Sequence, residues 1–158
     1  MGTVMFFHLM QSAPADTLAI NAPRALAQGW RVMVRGTDPA ELERLDAALW
    51  LKGGDESFLP HGLQGGPHDA DQPVLLGLGA PTNGARVLAL VDGADASDAE
   101  IRAMERVWVL FDGNDPDRLA VARAQWKAMT GAGHAAQYWS EESGRWEKKA
   151  ERTAPSEG

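Results

Sequence analysis

The 158-residue chain contains no cysteine, which excludes a disulfide framework and cysteine-ligated zinc and suits a reducing compartment. No apolar run approaches the length of a membrane span, and the N-terminus lacks the charged region and apolar core of a secretory signal. The expectation is a soluble, cytoplasmic protein with no membrane contact. Basic runs are also missing. The formal net charge is −7, and residues 51–113 hold four basic side chains against ten acidic ones. Non-specific duplex binding depends on neutralising phosphates, so any contact with DNA is expected to be indirect.

Catalytic patterns are equally scarce. The segment Gly77-Leu78-Gly79-Ala80-Pro81 follows an apolar run, but it lacks a third glycine, an ensuing helix and a Gly-Lys-Ser/Thr ending. A small nucleotide-handling enzyme on a doubly wound sheet is the alternative this segment keeps open. His68, Asp69 and Asp71, with His61 nearby, are the one cluster of metal-ligand chemistry, and they read better as a solvated loop. His8 and His134 have no partner that spacing supplies, and no serine or histidine sits in a nucleophile-elbow context. The residues give no catalytic site, and no cofactor or metal is expected.

What is present is an alternation of short apolar runs with amphipathic stretches. Residues 3–9, 30–35, 74–77, 86–91, 107–111 and 135–139 read as strands. Residues 18–28, a stretch opened by Asp38-Pro39, residues 97–104 and a stretch from Pro116 to Gly131 read as helices, with Pro23 expected to break or kink the first. Asn83-Gly84 is compatible with a hairpin or with a plain strand connection. Residues 62–73 read as loop, Arg145-Trp146 as a short return, and the chain from Lys148 as charged and frayed. The pattern predicts an α/β, three-layer, Rossmann-like domain: a mostly parallel central sheet with helices on both faces. Residues 1–149 form that domain, and 150–158 a frayed charged tail.

Two stretches carry candidate binding chemistry. In residues 42–62, LERLDAALWLKGGDESFLPHG, a helix patterned by Leu42, Leu45, Ala48 and Leu49 ends at Trp50 and two glycines, and Phe58-Leu59-Pro60 follows. Trp50 and Phe58 fit an ordinary core, the commoner use, or anchors for a partner protein. On the last long helix, Leu119, Arg123, Trp126, Lys127 and Thr130 recur at three- and four-residue spacing. Two cations one turn apart beside an indole suit an acidic peptide; the plainer reading is a solvated cationic stripe with Trp126 in the core.

The run LDAALW followed by ESFLPH, together with VMFFHL, GWRVMVR and ARAQWKAM, resembles the bacterial DNA polymerase III chi subunit, a clamp-loader accessory protein, in order and spacing over roughly residues 1–149. The resemblance implies a non-catalytic accessory subunit of the replicative polymerase holoenzyme. It would link the clamp-loader complex to the acidic C-terminal tail of single-stranded-DNA-binding protein, which ends in an aromatic residue and a free carboxylate. Arg123, Trp126 and Lys127 match the family's tail pocket, where a tyrosine often stands in place of Trp126. A lysine that some relatives carry one turn earlier corresponds here to Leu119, and Arg118 points about 100° away. Trp50, Phe58 and Pro60 match the surface that holds the psi subunit or another clamp-loader or helicase-type partner.

Overall fold

The computed structural model describes residues 2–52 and 61–153. Among these described residues eight strands and four α-helices follow in the order β1 (Thr3–Leu9), α1 (Pro14–Ala27), β2 (Val32–Arg35), α2 (Pro39–Lys52), β3 (His61–Leu63), β4 (Val74–Gly77), β5 (Val87–Leu90), α3 (Asp98–Ala103), β6 (Arg106–Asp112), α4 (Pro116–Gly131), β7 (Ala136–Ser140) and β8 (Glu147–Arg152). They form one sheet in the order β3-β4-β2-β5-β6-β1-β7-β8. Every pairing is parallel except that of β7 with β8.

The period-two alternation of the strands divides the core in two. Phe7 and Leu9 of β1, Val32 and Val34 of β2, and Trp108 and Leu110 of β6 face one way, against Leu18 and Ala22 of α1 and Leu42 and Leu49 of α2. Val4 and Phe6, Met33, and Val107 and Val109 face the other way, against Ile101 of α3 and Ala122 and Met129 of α4. Strands covered on both faces read as unbroken apolar runs, which is why they were legible. The three-layer expectation holds.

Several local expectations do not. Pro23 sits inside an unbroken α1, which begins four residues earlier than the periodicity indicated, with Pro14 in its first turn. The backbone N–H of Ala13 donates to the Asp16 carboxylate at 2.8 Å and fixes that start. Asn83-Gly84 makes no hairpin, because β4 and β5 each pair in parallel with β2 and lie on either side of it. Gly84 does adopt a left-handed turn conformation, with φ +72°. Asn83 is buried, and its amide donates to the carbonyls of Val32 and Gln72, holding this connection down on the sheet.

Within the supposed loop 62–73, His61–Leu63 forms the short edge strand β3, and Asp69 accepts from the N–H groups of Gly65 and Gly66. Among the described residues no three acidic or histidine groups converge as metal ligands. The expected fraying from Lys148 also gives way: Glu147–Arg152 is an ordered antiparallel strand. Its residues are charged because it is a sheet edge, where charge discourages further pairing.

One ion pair ties the sheet to its second helical layer. Arg35, at the end of β2, has its guanidinium on both carboxylate oxygens of Glu100 in α3 and also donates to the carbonyls of Gly79 and Asp95. The Arg35 hydrogen bond holds the Glu100 carboxyl down at about 2 from its ordinary 4.5. A depressed carboxyl contributes stability above its unfolded pKa and loses it as pH falls through the folded one. Glu100→Gln is therefore expected to flatten the fall in stability between about pH 4.5 and pH 2, measured by urea unfolding at stepped pH. An unchanged acid limb would remove this pair from the account.

Candidate functional site

Helix α4 starts where Asp115 caps the N–H groups of Asp117 and Arg118 with Pro116 behind it, so its register is fixed from the first turn. That register turns Ala122, Gln125 and Met129 into the protein and leaves Arg123 and Lys127 exposed. Trp126 is half-buried between these two sides. One edge of its indole meets Phe6 of β1, centroids 5.4 Å apart at 71°, and Tyr138 of β7, 5.9 Å at 85°. Leu119 joins it on the core side rather than sharing Arg123's exposure.

Arg123 and Trp126 form one wall of an open cleft of about 490 Å³, completed by His8, Tyr138, Ser140, Glu142, Lys149 and Ala150. The floor is a polar cluster across β1 and β7. His8 is buried and stacks on Phe111 at 5.2 Å, and its Nδ1 lies 3.2 Å from the Tyr138 hydroxyl and 3.5 Å from Ser140 Oγ. Burial pushes the Tyr138 phenol up, the Arg123 charge opposes this, and Glu142 adds to it. Arg123 makes no hydrogen bond or ion pair among the described residues, so its charge is available to a ligand.

Of the residues expected at this site, the structure brings Arg123 and Trp126 together. Lys127 is exposed on the same helix but does not line the cleft. The cleft adds Lys149 from β8, which sequence reasoning missed. Tyr138 and Ser140 were also missed, although their period-two spacing on β7 puts both on the α4 side. His8 and His134, for which spacing supplied no partner, both have one: His134 Nε2 lies 2.8 Å from Asp98 Oδ1. Sequence separations of 130 and 36 residues left no local signal for either contact.

The second expected surface is partly in view. Trp50, in the last turn of α2, is 49% exposed and sets its ring 4.2 Å from that of buried His61. Phe58 and Pro60 lie outside the described residues. At the glycine-rich segment once open to nucleotides, the Gln64 side chain lies against Gly77, where even a Cβ would overlap its amide oxygen, and the Gly79 carbonyl receives Arg35.

The fold and cleft define a doubly wound α/β domain with a shallow surface site lined by aromatic and cationic groups. Residues 1–137 match the family described as DNA polymerase III chi subunit, HolC, and the chain belongs to that family. It is similar to the DNA polymerase III subunit chi of Pseudomonas aeruginosa, 36% identical over 93 residues. That match covers 57% of this chain and 63% of the relative. The family match ends within β7, and β8 lies beyond it.

Proposed function

We propose that the chain is a non-catalytic accessory subunit of the bacterial replicative DNA polymerase III holoenzyme. It links the clamp-loader complex to the acidic C-terminal tail of single-stranded-DNA-binding protein, while polymerase chemistry belongs to other subunits. The observation that carries this reading is an exposed, unengaged Arg123 beside the half-buried Trp126 at the mouth of one cleft. An acidic chain end supplies carboxylates for the guanidinium, and its terminal aromatic residue packs on the indole. Lys127, one turn on, adds positive potential along the approach.

A second surface, marked by Trp50 and, by the resemblance in sequence, Phe58 and Pro60, docks psi or another clamp-loader or helicase-type partner. Trp50 remains 49% exposed beside His61, and a large aromatic ring at the surface is the kind of anchor that interfaces bury. With both faces engaged, a weak tail contact acts at high effective concentration near the polymerase. DNA is reached only through proteins, in line with the net charge of −7.

Calorimetry with a synthetic tail peptide tests the first face. Arg123→Glu is expected to weaken binding by at least roughly tenfold with an unchanged circular dichroism spectrum, since the side chain is exposed and reversal replaces attraction with repulsion. Wild-type affinity falls with added salt, and a peptide without its terminal aromatic binds more weakly. Equal affinity for wild type and Arg123→Glu would remove the tail site.

A further inference from the structure

We propose that Lys149, on the strand beyond the family match, is the second cationic contact of the cleft and takes a carboxylate of the same acidic peptide that Arg123 holds. The inference rests on the tail-site reading above, and it assigns a binding role to a segment read from sequence as frayed.

The geometry of β8 carries it. Tyr138 pairs with Ala150 and Trp139 with Lys148, so Lys149 is the extra residue of a bulge. In a regular strand, neighbouring side chains point to opposite faces. Here Lys149 and Ala150 both line the cleft, alongside Arg123, Trp126 and Tyr138. Bulges re-aim side chains and recur beside functional sites. The strand is held on both sides of the bulge: Gln137 donates to Glu151 at 3.0 Å, and Trp146, just ahead of β8, meets Phe7 edge-on at 5.7 Å.

Charge bears on the same point. The cleft lining contains two cations, Arg123 and Lys149, one from α4 and one from β8, and one anion, Glu142. The cations come from two different elements, so a ligand chain lying over Tyr138 and Trp126 can meet one with each side. Lys149 is engaged by Glu147 at 3.2 Å, but this is a pair at the protein surface, where an ion pair is weak and a ligand carboxylate can displace it. Glu142 opposes an acidic ligand and limits how far along the cleft the peptide runs.

The adjacent Lys148 provides a control. It carries the same charge, pairs with Glu151 and does not line the cleft. With the acidic tail peptide as the probe, calorimetry on the full chain is expected to show Lys149→Ala weakening binding roughly fivefold, the upper end for an exposed pair. Lys149→Arg should keep most of the affinity, and Lys148→Ala should change it by less than about twofold. The logarithmic dependence of affinity on salt should also be shallower for Lys149→Ala than for wild type. Thermal midpoints, compared across the set, show whether β8 stays in place. If Lys148→Ala and Lys149→Ala weaken binding equally, only the general field matters and the contact is overturned. If Lys149→Ala is neutral while Arg123→Glu abolishes binding, the cleft reading stands without β8. If neither substitution matters, the tail site itself fails.

Discussion

Glu141→Ala is expected to cost about 3–4 kcal/mol of stability, a large part of what holds a domain of this size together. Glu141 is 5% exposed, and its Oε1 accepts the backbone N–H groups of Met10, Gln11 and Ser12 at 2.6–2.8 Å, while Oε2 accepts the Ser12 hydroxyl. One carboxylate therefore organises the whole exit of β1 toward α1 from the end of β7, across some 130 residues of sequence. Alanine leaves three part-buried amides of this turn without their charged acceptor, and hydrogen bonds to a charged group contribute more than an average one. Glu141→Gln keeps an oxygen that can stand at the Oε1 position, and Ser12 can turn to accept from the amide. It is expected to lose less than half as much.

Burial acts to raise the Glu141 carboxyl, but the amides of Ser12, Gln11 and Met10 outweigh it, and the group lies below its ordinary 4.5. Its contribution is thus complete above that value and is lost as pH falls through the folded pKa. Urea unfolding of the three proteins at neutral pH checks the ranking. An alanine variant with the wild-type midpoint would mean that water serves the turn as well as Glu141 does.

Glu141 also shows where sequence reasoning stops. The buried strands were legible because both faces of each are covered, leaving runs such as Val-Met-Phe-Phe and Val-Trp-Val-Leu-Phe with little else they could form. Helix α4 and the pairing of Arg123 with Trp126 were legible for a different reason: spacing on one helix fixes angular position. Strand β8 was not, because Glu-Lys-Lys-Ala-Glu-Arg has no apolar alternation, and its order comes from pairing with β7. Lys149 enters the cleft through a bulge in that pairing, which no local pattern announces. Lys127 is the converse case. Its spacing from Arg123 is right, but the cleft closes against β7 and β8 rather than running further along the helix. The break expected at Pro23 does not occur, because the tertiary packing of Leu18, Ala22 and Ala25 holds α1 through it.

Gly113→Ala is expected to destabilise the protein by about 2–3 kcal/mol and to weaken tail binding as well, although Gly113 does not line the cleft. A Cβ at this position would overlap Cδ2 and Nε2 of the His8 ring, with Met10 Sδ only 2.7 Å away. The φ of Gly113 is not in the left-handed region, so the constraint is space alone. The ring has little room to retreat, since Phe111 stacks on it at 5.2 Å and Tyr138 stands edge-on at 5.9 Å. Two responses remain. Either His8 swings away and Tyr138 loses its partner in the cleft floor, or the backbone of Gly113 moves. Backbone movement would strain the bond from Gly113 N–H to the Leu9 carbonyl and the Asn114 amide's hold on Met10, just ahead of the α4 cap. Each route displaces the floor or the wall that carries Arg123 and Trp126. A double-mutant cycle separates this mechanism from general disruption. With His8→Ala in place the new methyl has room, and Gly113→Ala should then cost less than about 1 kcal/mol. Equal costs in both backgrounds would show that Gly113 answers to its own backbone and that the imidazole is not what the glycine makes room for.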